Sequence, residues 1–259
     1  VGLGACDIKG AAAALLTAAS MTSGDAAFLF SSDEEANDPR CIAAFLATAH
    51  GFRDVVVAEP TNCLAVLAHR GITAASVQFT GQSGHASKIT HTMQSAVHQA
   101  LVWGAQALFM AEQEAHHRFG GLTGMPFNIG KMDGGIKANM IAGSAELRLG
   151  FRPLPTQSLQ GLHQQFAALL PDVEKNYQVT FVGPPLPAGE TAMAEEKRLR
   201  ARDFAEGLGL PIGHAVDFWT EASLFSQAGL NAIVFGPGDI AQAHTADEWV
   251  ALEQLQKIT

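Results

Sequence analysis

Residues 54–58 read DVVVA, an uninterrupted apolar run that predicts a buried β-strand. A second apolar run, AAFLFS at residues 26–31, predicts another strand of the same kind. The sequence indicates helices over residues 10–20 and 40–50, so that strands and helices alternate. Continuous apolar strands between helices are typical of a parallel sheet covered on both faces. Residues 1–70 are therefore expected to begin an α/β domain.

A different pattern, with half-exposed strands, occupies residues 71–183. The expected elements there follow the order β-α-β-β-α-β: residues 73–80, 92–118, 126–132, 138–152, 157–170 and 177–182. That order is the split βαβ arrangement of ferredoxin-like folds. The α/β pattern then returns, with a helix over residues 195–207 and a strand over residues 231–235. We therefore expect an α/β domain, formed by residues 1–70 and 184–259, that is interrupted by an inserted ferredoxin-like domain at residues 71–183.

Composition and charge exclude several classes of partner. The 259 residues include 25 Asp and Glu against 16 Lys and Arg, a net charge of −9, and lack the basic cluster that nucleic acids require. No apolar run approaches the ~20 residues of a membrane span. The three cysteines form no C-x-x-C pair and indicate reduced thiols in a cytoplasmic protein. The acidic balance fits a small-molecule or metal-ion partner better than a nucleic acid. The chain begins without Met and ends within an expected helix, so it is expected to be a fragment.

Acidic residues follow the expected strands of the α/β domain. Glu34 and Glu35 come after the run at residues 26–31, Glu59 comes after DVVVA, and Asp7 precedes the first helix. Because ligands bind where the carboxyl ends of parallel strands meet, these carboxylates are expected to converge. Close carboxylates repel one another unless a cation lies among them. Each acid also has an ordinary interpretation: Asp7 as a helix cap, Glu34 and Glu35 as first-turn acids, and Glu59 as an exposed turn residue.

Two of the ten histidines stand in loops next to expected strands. His244 lies in the loop GPGDIAQAHT after the strand at residues 231–235, and His85 lies in the loop GQSGHAS. Carboxylates together with a histidine suit Zn²⁺, Co²⁺ or Mn²⁺. A lone loop histidine usually has no such role, so these two matter only through their neighbours. The sequence contains no Walker loop, no HExxH motif and no complete dinucleotide fingerprint.

Five stretches together resemble a known family, the co-catalytic metal amidohydrolases and peptidases that include acetylornithine deacetylase and succinyl-diaminopimelate desuccinylase. The stretches are GACDIKGAAAAL (4–15), FLFSSDEEA (28–36), VVVAEPT (55–61), HRGI with GQSGHAS (69–87), and VFGPGDIAQAHTADEWV (234–250). They occur in the family's order and span nearly the whole chain. The resemblance implies a metallopeptidase-type α/β catalytic domain with an inserted ferredoxin-like dimerisation domain.

The resemblance also implies a metal centre. Asp7 would bridge two divalent ions, zinc or cobalt, Glu35 and Glu59 would each complete the shell of one ion, and His244 would be another ligand. Glu34 would be the general base that takes a proton from the metal-activated water. The family has a further metal-binding histidine, in an H-x-D motif, upstream of the position that Asp7 matches. This chain starts too late to contain it, so one ion is expected to lack a ligand here.

The remaining implied roles concern the substrate and the partner subunit. His85 would reach the partner subunit's active site and polarise the scissile carbonyl, and Asn139 and Arg152 would bind the substrate. The implied protein is a cytoplasmic homodimer, joined through the inserted domain, that removes the acetyl group from N-acetyl-L-citrulline or N-acetyl-L-ornithine in arginine biosynthesis. The alternatives are a deacylase or dipeptidase acting on another N-acyl amino acid, and an inactive fragment that serves only as a dimerising module.

Overall fold

The computed structural model describes residues 1–32, 40–169 and 176–259. It divides into two compact units. The first unit consists of Val1–His69 and Leu186–Thr259, and the second unit consists of Arg70–Pro185. Within the described ranges, none of the helices is both long enough and apolar enough to cross a membrane.

The first unit contains a pair of parallel strands with helices around them. Its elements are α1 (Gly10–Met21), α2 (Arg40–Leu46), β1 (Asp54–Val57), α5 (Ala194–Gly207), α6 (Ala222–Gln227), β10 (Asn231–Val234) and α7 (Leu252–Ile258). β1 pairs with β10 in parallel, from Asp54 opposite Asn231 to Val57 opposite Val234. Both α5 and α6 pack against β10. The predicted parallel α/β pattern is therefore confirmed for these two strands.

The strand predicted over residues 26–31 is wrong for this structure. The segment forms no ladder, and Phe28, Leu29 and Phe30 are 42%, 45% and 54% exposed. A strand needs a neighbouring strand that pairs with its backbone N–H and C=O groups. Among the described residues β1 pairs with β10 alone, so residues 26–31 do not form a second neighbour of β1. For the same reason β1 is not buried as predicted, since Val56 remains 42% exposed. An apolar run thus predicts the tendency to form a strand but not the partner that the strand needs.

The second unit is the expected ferredoxin-like domain. Its elements are β2 (Ile72–Thr80), β3 (Gly84–His85), α3 (Ala96–Gln113), β4 (Arg118–Phe119), β5 (Leu122–Thr123), β6 (Phe127–Gly134), β7 (Met140–Ile141), β8 (Ser144–Phe151), α4 (Leu159–Ala167) and β9 (Tyr177–Gly183). The central sheet is antiparallel in the order β6-β8-β2-β9. Taken in chain order, the strands of this sheet and the two long helices give the predicted β-α-β-β-α-β arrangement.

The core of the second unit lies between this sheet and its helices. Trp103 of α3 and Phe166 of α4 are fully buried, as are Leu147 and Phe151 of β8 at 1% exposure. The indole N–H of Trp103 donates to the carbonyl of Phe166 at 3.1 Å. The buried face of α3 otherwise consists of small residues, Ala96, Ala100, Gly104, Ala107 and Ala111, which allow the helix to lie close to the sheet.

One predicted strand of the second unit is interrupted. Residues 138–152 form β7 and β8 with a break at Ala142 and Gly143. The carbonyl of Ala142 accepts from the N–H of Ala96, and that of Gly143 accepts from the N–H of Gly81. Those two carbonyls therefore bond to neighbouring loops instead of extending one ladder. The break lets β7 leave the central sheet and pair with β3.

Candidate functional site

Asp7 and His244 meet at the surface of the first unit. Nε2 of His244 lies 3.1 Å from Oδ2 of Asp7. Asp7 belongs to the irregular turn Ala5–Lys9 before α1, and His244 follows a short 3₁₀ turn, Ile240–Gln242, with a left-handed φ of 56°. The Asp7 side chain is 19% exposed and that of His244 is 69% exposed. An imidazole nitrogen and a carboxylate oxygen this close together are suitable ligands for one divalent transition-metal ion.

Glu59 follows β1 on a segment that is bonded to the loop after β10. The carbonyl of Gly236 accepts from the backbone N–H of Cys63 at 2.8 Å, and the N–H of Gly236 donates to Oγ1 of Thr61 at 3.0 Å. A Cβ at Gly236 would lie 2.5 Å from the carbonyl oxygen of Glu59, so only glycine permits this approach. The half-buried Glu59 is thus held beside the same loop that leads to His244.

The Asp7 turn also packs against this loop through Cys6. The buried Cys6 thiol donates to the carbonyl of Asp239 at 3.4 Å. A Cβ at Gly238 would meet Sγ of Cys6 at 2.3 Å, so the turn and the loop are in direct contact. Burial, together with the nearby carboxylates of Glu248 and Asp7, raises the pKa of the Cys6 thiol to about 11. Cys6 therefore stays a neutral packing residue at neutral pH.

Glu248 is a site residue that the sequence interpretation missed. It is 2% exposed, and its carboxylate accepts from the backbone N–H groups of Gly4, Cys6 and Asp7 at 2.7, 2.8 and 2.8 Å. The N–H groups of Asp7 and Gly4 lower the pKa of Glu248, against the opposing effect of burial. Its partners are backbone groups about 240 residues away, so no side-chain pattern indicates it. The one indication in the sequence is that Glu248 lies within residues 234–250, one of the five stretches that resemble the family.

The structure brings together part of the expected ligand set. Asp7 and His244 are in contact, and Glu59 lies on an adjoining segment. The predicted base Glu34 and the predicted ligand Glu35 lie outside the described residues. Within residues 1–32, 40–169 and 176–259, no three His, Cys, Asp or Glu side chains are grouped closely enough to hold a metal ion.

In the second unit, His85 and Asn139 are neighbours. β3 pairs with β7 so that His85 lies opposite Met140, and the N–H of Ala86 donates to the carbonyl of Asn139 at 3.0 Å. Both residues are exposed. Nδ1 of His85 lies 2.8 Å from Oγ of Ser87 and accepts from the backbone N–H of Ser87 at 3.3 Å. Two predicted site residues that are far apart in sequence therefore share one small hairpin-like surface.

Arg152 is placed apart from this pair. It directly follows β8, and its backbone N–H donates to the carbonyl of Pro126 at 2.9 Å. β7 precedes the opposite end of β8, and eight strand residues span roughly 25 Å. Within one chain, the structure therefore does not bring Arg152 to His85 and Asn139.

Comparison with known proteins gives a family profile and two deacetylases as relatives of the chain. Residues 67–178 match the family profile described as the peptidase dimerisation domain. The chain is 63% identical over 257 residues to N-acetyl-L-citrulline deacetylase from Xanthomonas campestris, covering 99% of this chain and 70% of that protein. It is 32% identical over 202 residues to acetylornithine deacetylase from Aliivibrio salmonicida, covering 76% of this chain and 52% of that protein. The chain therefore spans only about half the length of the acetylornithine deacetylase.

Solved structures resemble the fold. An aminopeptidase from Bacillus cereus aligns with a TM-score of 0.53 and 17% identity, covering 80% of this chain and 54% of that chain. A tripeptidase from Staphylococcus aureus aligns with a TM-score of 0.50 and 18% identity over the same shares. At such identities the likeness concerns the fold alone.

Proposed function

The chain belongs to the M20 metallopeptidase family, and from that membership we propose that it acts as a metal-dependent N-acetyl-L-citrulline deacetylase of arginine biosynthesis. The observation that carries this proposal is the 63% identity, extending over 99% of the chain, to an enzyme of that name. The contact between Asp7 and His244 supports it, because those residue types suit a metal centre. In this proposal residues 1–70 and 184–259 form the catalytic domain, and residues 71–183 form the inserted domain.

We assign the metal ligands to Asp7, Glu35, Glu59 and His244. The carboxylates and the imidazole would suit two divalent ions, zinc or cobalt, with Asp7 as the ligand common to both. When bound, such ions would supply positive charge that lowers the pKa of a water molecule towards neutrality. Glu34 would take a proton from the attacking water and deliver it to the leaving amine, as a general base and acid.

His85 is the proposed donor to the scissile carbonyl. The backbone N–H of Ser87 can only donate, so Nδ1 of His85 accepts and the ring proton lies on Nε2. An exposed Nε2–H can donate to an oxygen on which negative charge develops. We propose that each His85 serves the active site of the partner subunit, that Asn139 helps to bind the substrate, and that the planar fork of Arg152 holds the substrate carboxylate.

Dimerisation is proposed to occur through the second unit. α3 packs against β2, β6 and β8, and β6 is an edge strand of the sheet. The outer face of α3 carries Leu101, Leu108 and Phe109, which are 55%, 49% and 64% exposed. An apolar helix face beside a sheet edge is the kind of surface that a second copy of the chain can cover. The three free cysteines fit a cytoplasmic location.

N-acetyl-L-ornithine is the second candidate substrate. It is favoured by the 32% identity to an acetylornithine deacetylase over 76% of the chain. The two substrates differ at the end of the side chain, where citrulline has a neutral ureido group and ornithine has a cationic amine. A site that hydrogen-bonds the ureido group discriminates strongly against a substrate that lacks it.

The test is the release of free amine from the two substrates, side by side, by the protein as its gene encodes it. Each assay is run with added Co²⁺ or Zn²⁺ and with a chelator control. We expect chelator-sensitive release that is faster with N-acetyl-L-citrulline. Faster release from N-acetyl-L-ornithine would reverse the substrate assignment. Metal binding without release from either would point to other N-acyl amino acids or dipeptides, and dimers that bind no metal would indicate a dimerising module.

A further inference from the structure

We propose that Glu248 is a positioning residue that holds the Asp7 turn and the His244 loop in the arrangement that binds a divalent ion. This inference rests on the proposed role of Asp7 and His244 as metal ligands. Glu248 itself does not contact the ion in this proposal. It acts through the backbone of the segments that carry the two ligands.

The first observation is the convergence of three backbone donors on one buried carboxylate. Oε1 of Glu248 accepts from the N–H groups of Cys6 and Asp7, each at 2.8 Å, and Oε2 accepts from that of Gly4 at 2.7 Å. Gly4 has a left-handed φ of 77°, a conformation that favours glycine, and its N–H donates to the same carboxylate as the other two. The backbone of the turn is therefore shaped around the Glu248 carboxylate.

The second observation is the burial of that carboxylate. At 2% exposure Glu248 has little water to solvate its charge, so its partners must be protein groups. The backbone N–H of Gly2 adds a fourth bond, to the carbonyl oxygen of Glu248 at 2.8 Å. Four hydrogen bonds thus join one residue to the segment at residues 2–7. Removing the carboxylate would leave three N–H groups of that segment without an acceptor.

The third observation is the place of Glu248 in the sequence relative to His244. Only three residues separate the two, so fixing Glu248 limits where the His244 loop can lie. The same side chain thus fixes the backbone of Asp7 directly and that of His244 through a short link. Groups that orient the ligands of a metal typically change its affinity 10–100-fold when they are removed.

The test compares Glu248→Gln and Glu248→Ala with a control, Ala205→Gly. Glutamine keeps the size of the side chain but replaces one oxygen with an NH₂ group, which cannot accept a hydrogen bond. Ala205 is fully buried in α5, on the face against β10, so its replacement by glycine destabilises the first unit without removing an acceptor from the Asp7 turn. Two quantities are measured for each protein: hydrogen exchange of a peptide covering residues 1–9, and Co²⁺ affinity from the visible absorption bands of the bound ion.

We expect exchange of residues 1–9 to be at least tenfold faster, and Co²⁺ affinity 10–100-fold weaker, in both Glu248 variants and not in Ala205→Gly. Exchange and affinity equal to those of the parent in Glu248→Gln would overturn the inference, as would equal losses in the control. If Glu248→Ala does not fold, Glu248→Gln decides the matter. If the parent binds no Co²⁺, the metal assignment fails and the inference falls with it, whereas unchanged exchange beside normal Co²⁺ binding removes the role of Glu248 alone.

Discussion

Nε2 of His244 lies 3.1 Å from Oδ2 of Asp7, across a sequence separation of 237 residues. The contact brings the turn before α1 to the loop after β10, and Glu59 lies beside the same loop. Residues from three distant parts of the chain are thereby arranged around one surface of the first unit. This arrangement is the physical basis for assigning the metal centre there and for the predictions that concern it.

Replacing His244 should remove metal binding. His244→Ala deletes the imidazole that contacts Asp7, and we expect Co²⁺ affinity to fall more than about 100-fold, beyond the range seen for groups that only orient ligands. Calorimetric titration of the metal-free protein measures this. The matched control is His98→Ala, since His98 lies on α3 and its ring contacts the carbonyl of Thr92. Unchanged affinity in His244→Ala would remove this residue from the ligand set.

Glu34 and Glu35 should have separable roles. Glu34→Ala is expected to retain bound metal but to lower kcat by roughly 10²–10⁴-fold, the usual contribution of a general base. Glu35→Ala should instead lower metal affinity, because Glu35 is the proposed ligand. Metal content and kcat are measured on both variants, each serving as the control for the other. Full activity in Glu34→Ala would refute its assignment as the base.

The sequence predicts the fold best where the spacing of apolar residues along the chain is enough to define the strands and helices. The second unit follows from alternating strands and two apolar helix faces, which depend on neighbours close in sequence or on a regular period. Residues 26–31 failed as a strand because strand formation requires a partner that sequence alone does not supply. Glu248 was missed because its role arises from three distant backbone N–H groups.

The buried His163 should make stability depend on pH. Its ring lies between Oγ1 of Thr73 at 2.9 Å and the hydroxyl of Tyr177 at 2.7 Å, and burial lowers its pKa below the usual 6.5. The unfolded chain therefore binds a proton that the folded chain excludes. The contribution of the neutral His163 to the free energy of unfolding is complete above pH 6.5 and is lost as the pH falls below it. Melting temperatures between pH 5 and 7.5 should fall less steeply with acidification in His163→Gln than in the parent. The half-buried His98→Gln should keep the parent's slope, and identical slopes in all three would contradict the prediction.

A charge on the outer face of α3 should dissociate the proposed dimer. Phe109 is 64% exposed, and Phe109→Glu would place an acidic group where a second copy is proposed to pack. We expect the dimer to weaken by at least roughly 30-fold, as for the loss of an interface hot spot of about 2 kcal/mol. Sedimentation velocity measures the change. Leu208→Glu, at an exposed position of the first unit, is the control and should leave the dimer intact. A dimer that tolerates Phe109→Glu would place the interface elsewhere.

Hybrid dimers should reveal which subunit His85 serves. His85→Ala is expected to lower kcat about 10²–10³-fold through loss of the donor to the carbonyl oxygen, with metal affinity unchanged. Its active site still contains Glu34, whereas a Glu34→Ala subunit still contributes His85. If His85 acts in the partner's site, a mixed dimer of the two variants combines an intact Glu34 with an intact His85 in one of its two sites. Mixing should therefore restore activity well above that of either variant alone.

The matched control is a mixture of His85→Ala with the doubly substituted Glu34→Ala, His85→Ala chain, which offers no intact His85 and should stay inactive. If His85 instead acted within its own subunit, each site of the mixed dimer would still lack one of the two groups. Mixing would then restore nothing, and the assignment of His85 to the partner's site would be wrong. Because the outcome depends on which chain supplies each group, a general loss of stability in either variant cannot imitate the recovery of activity.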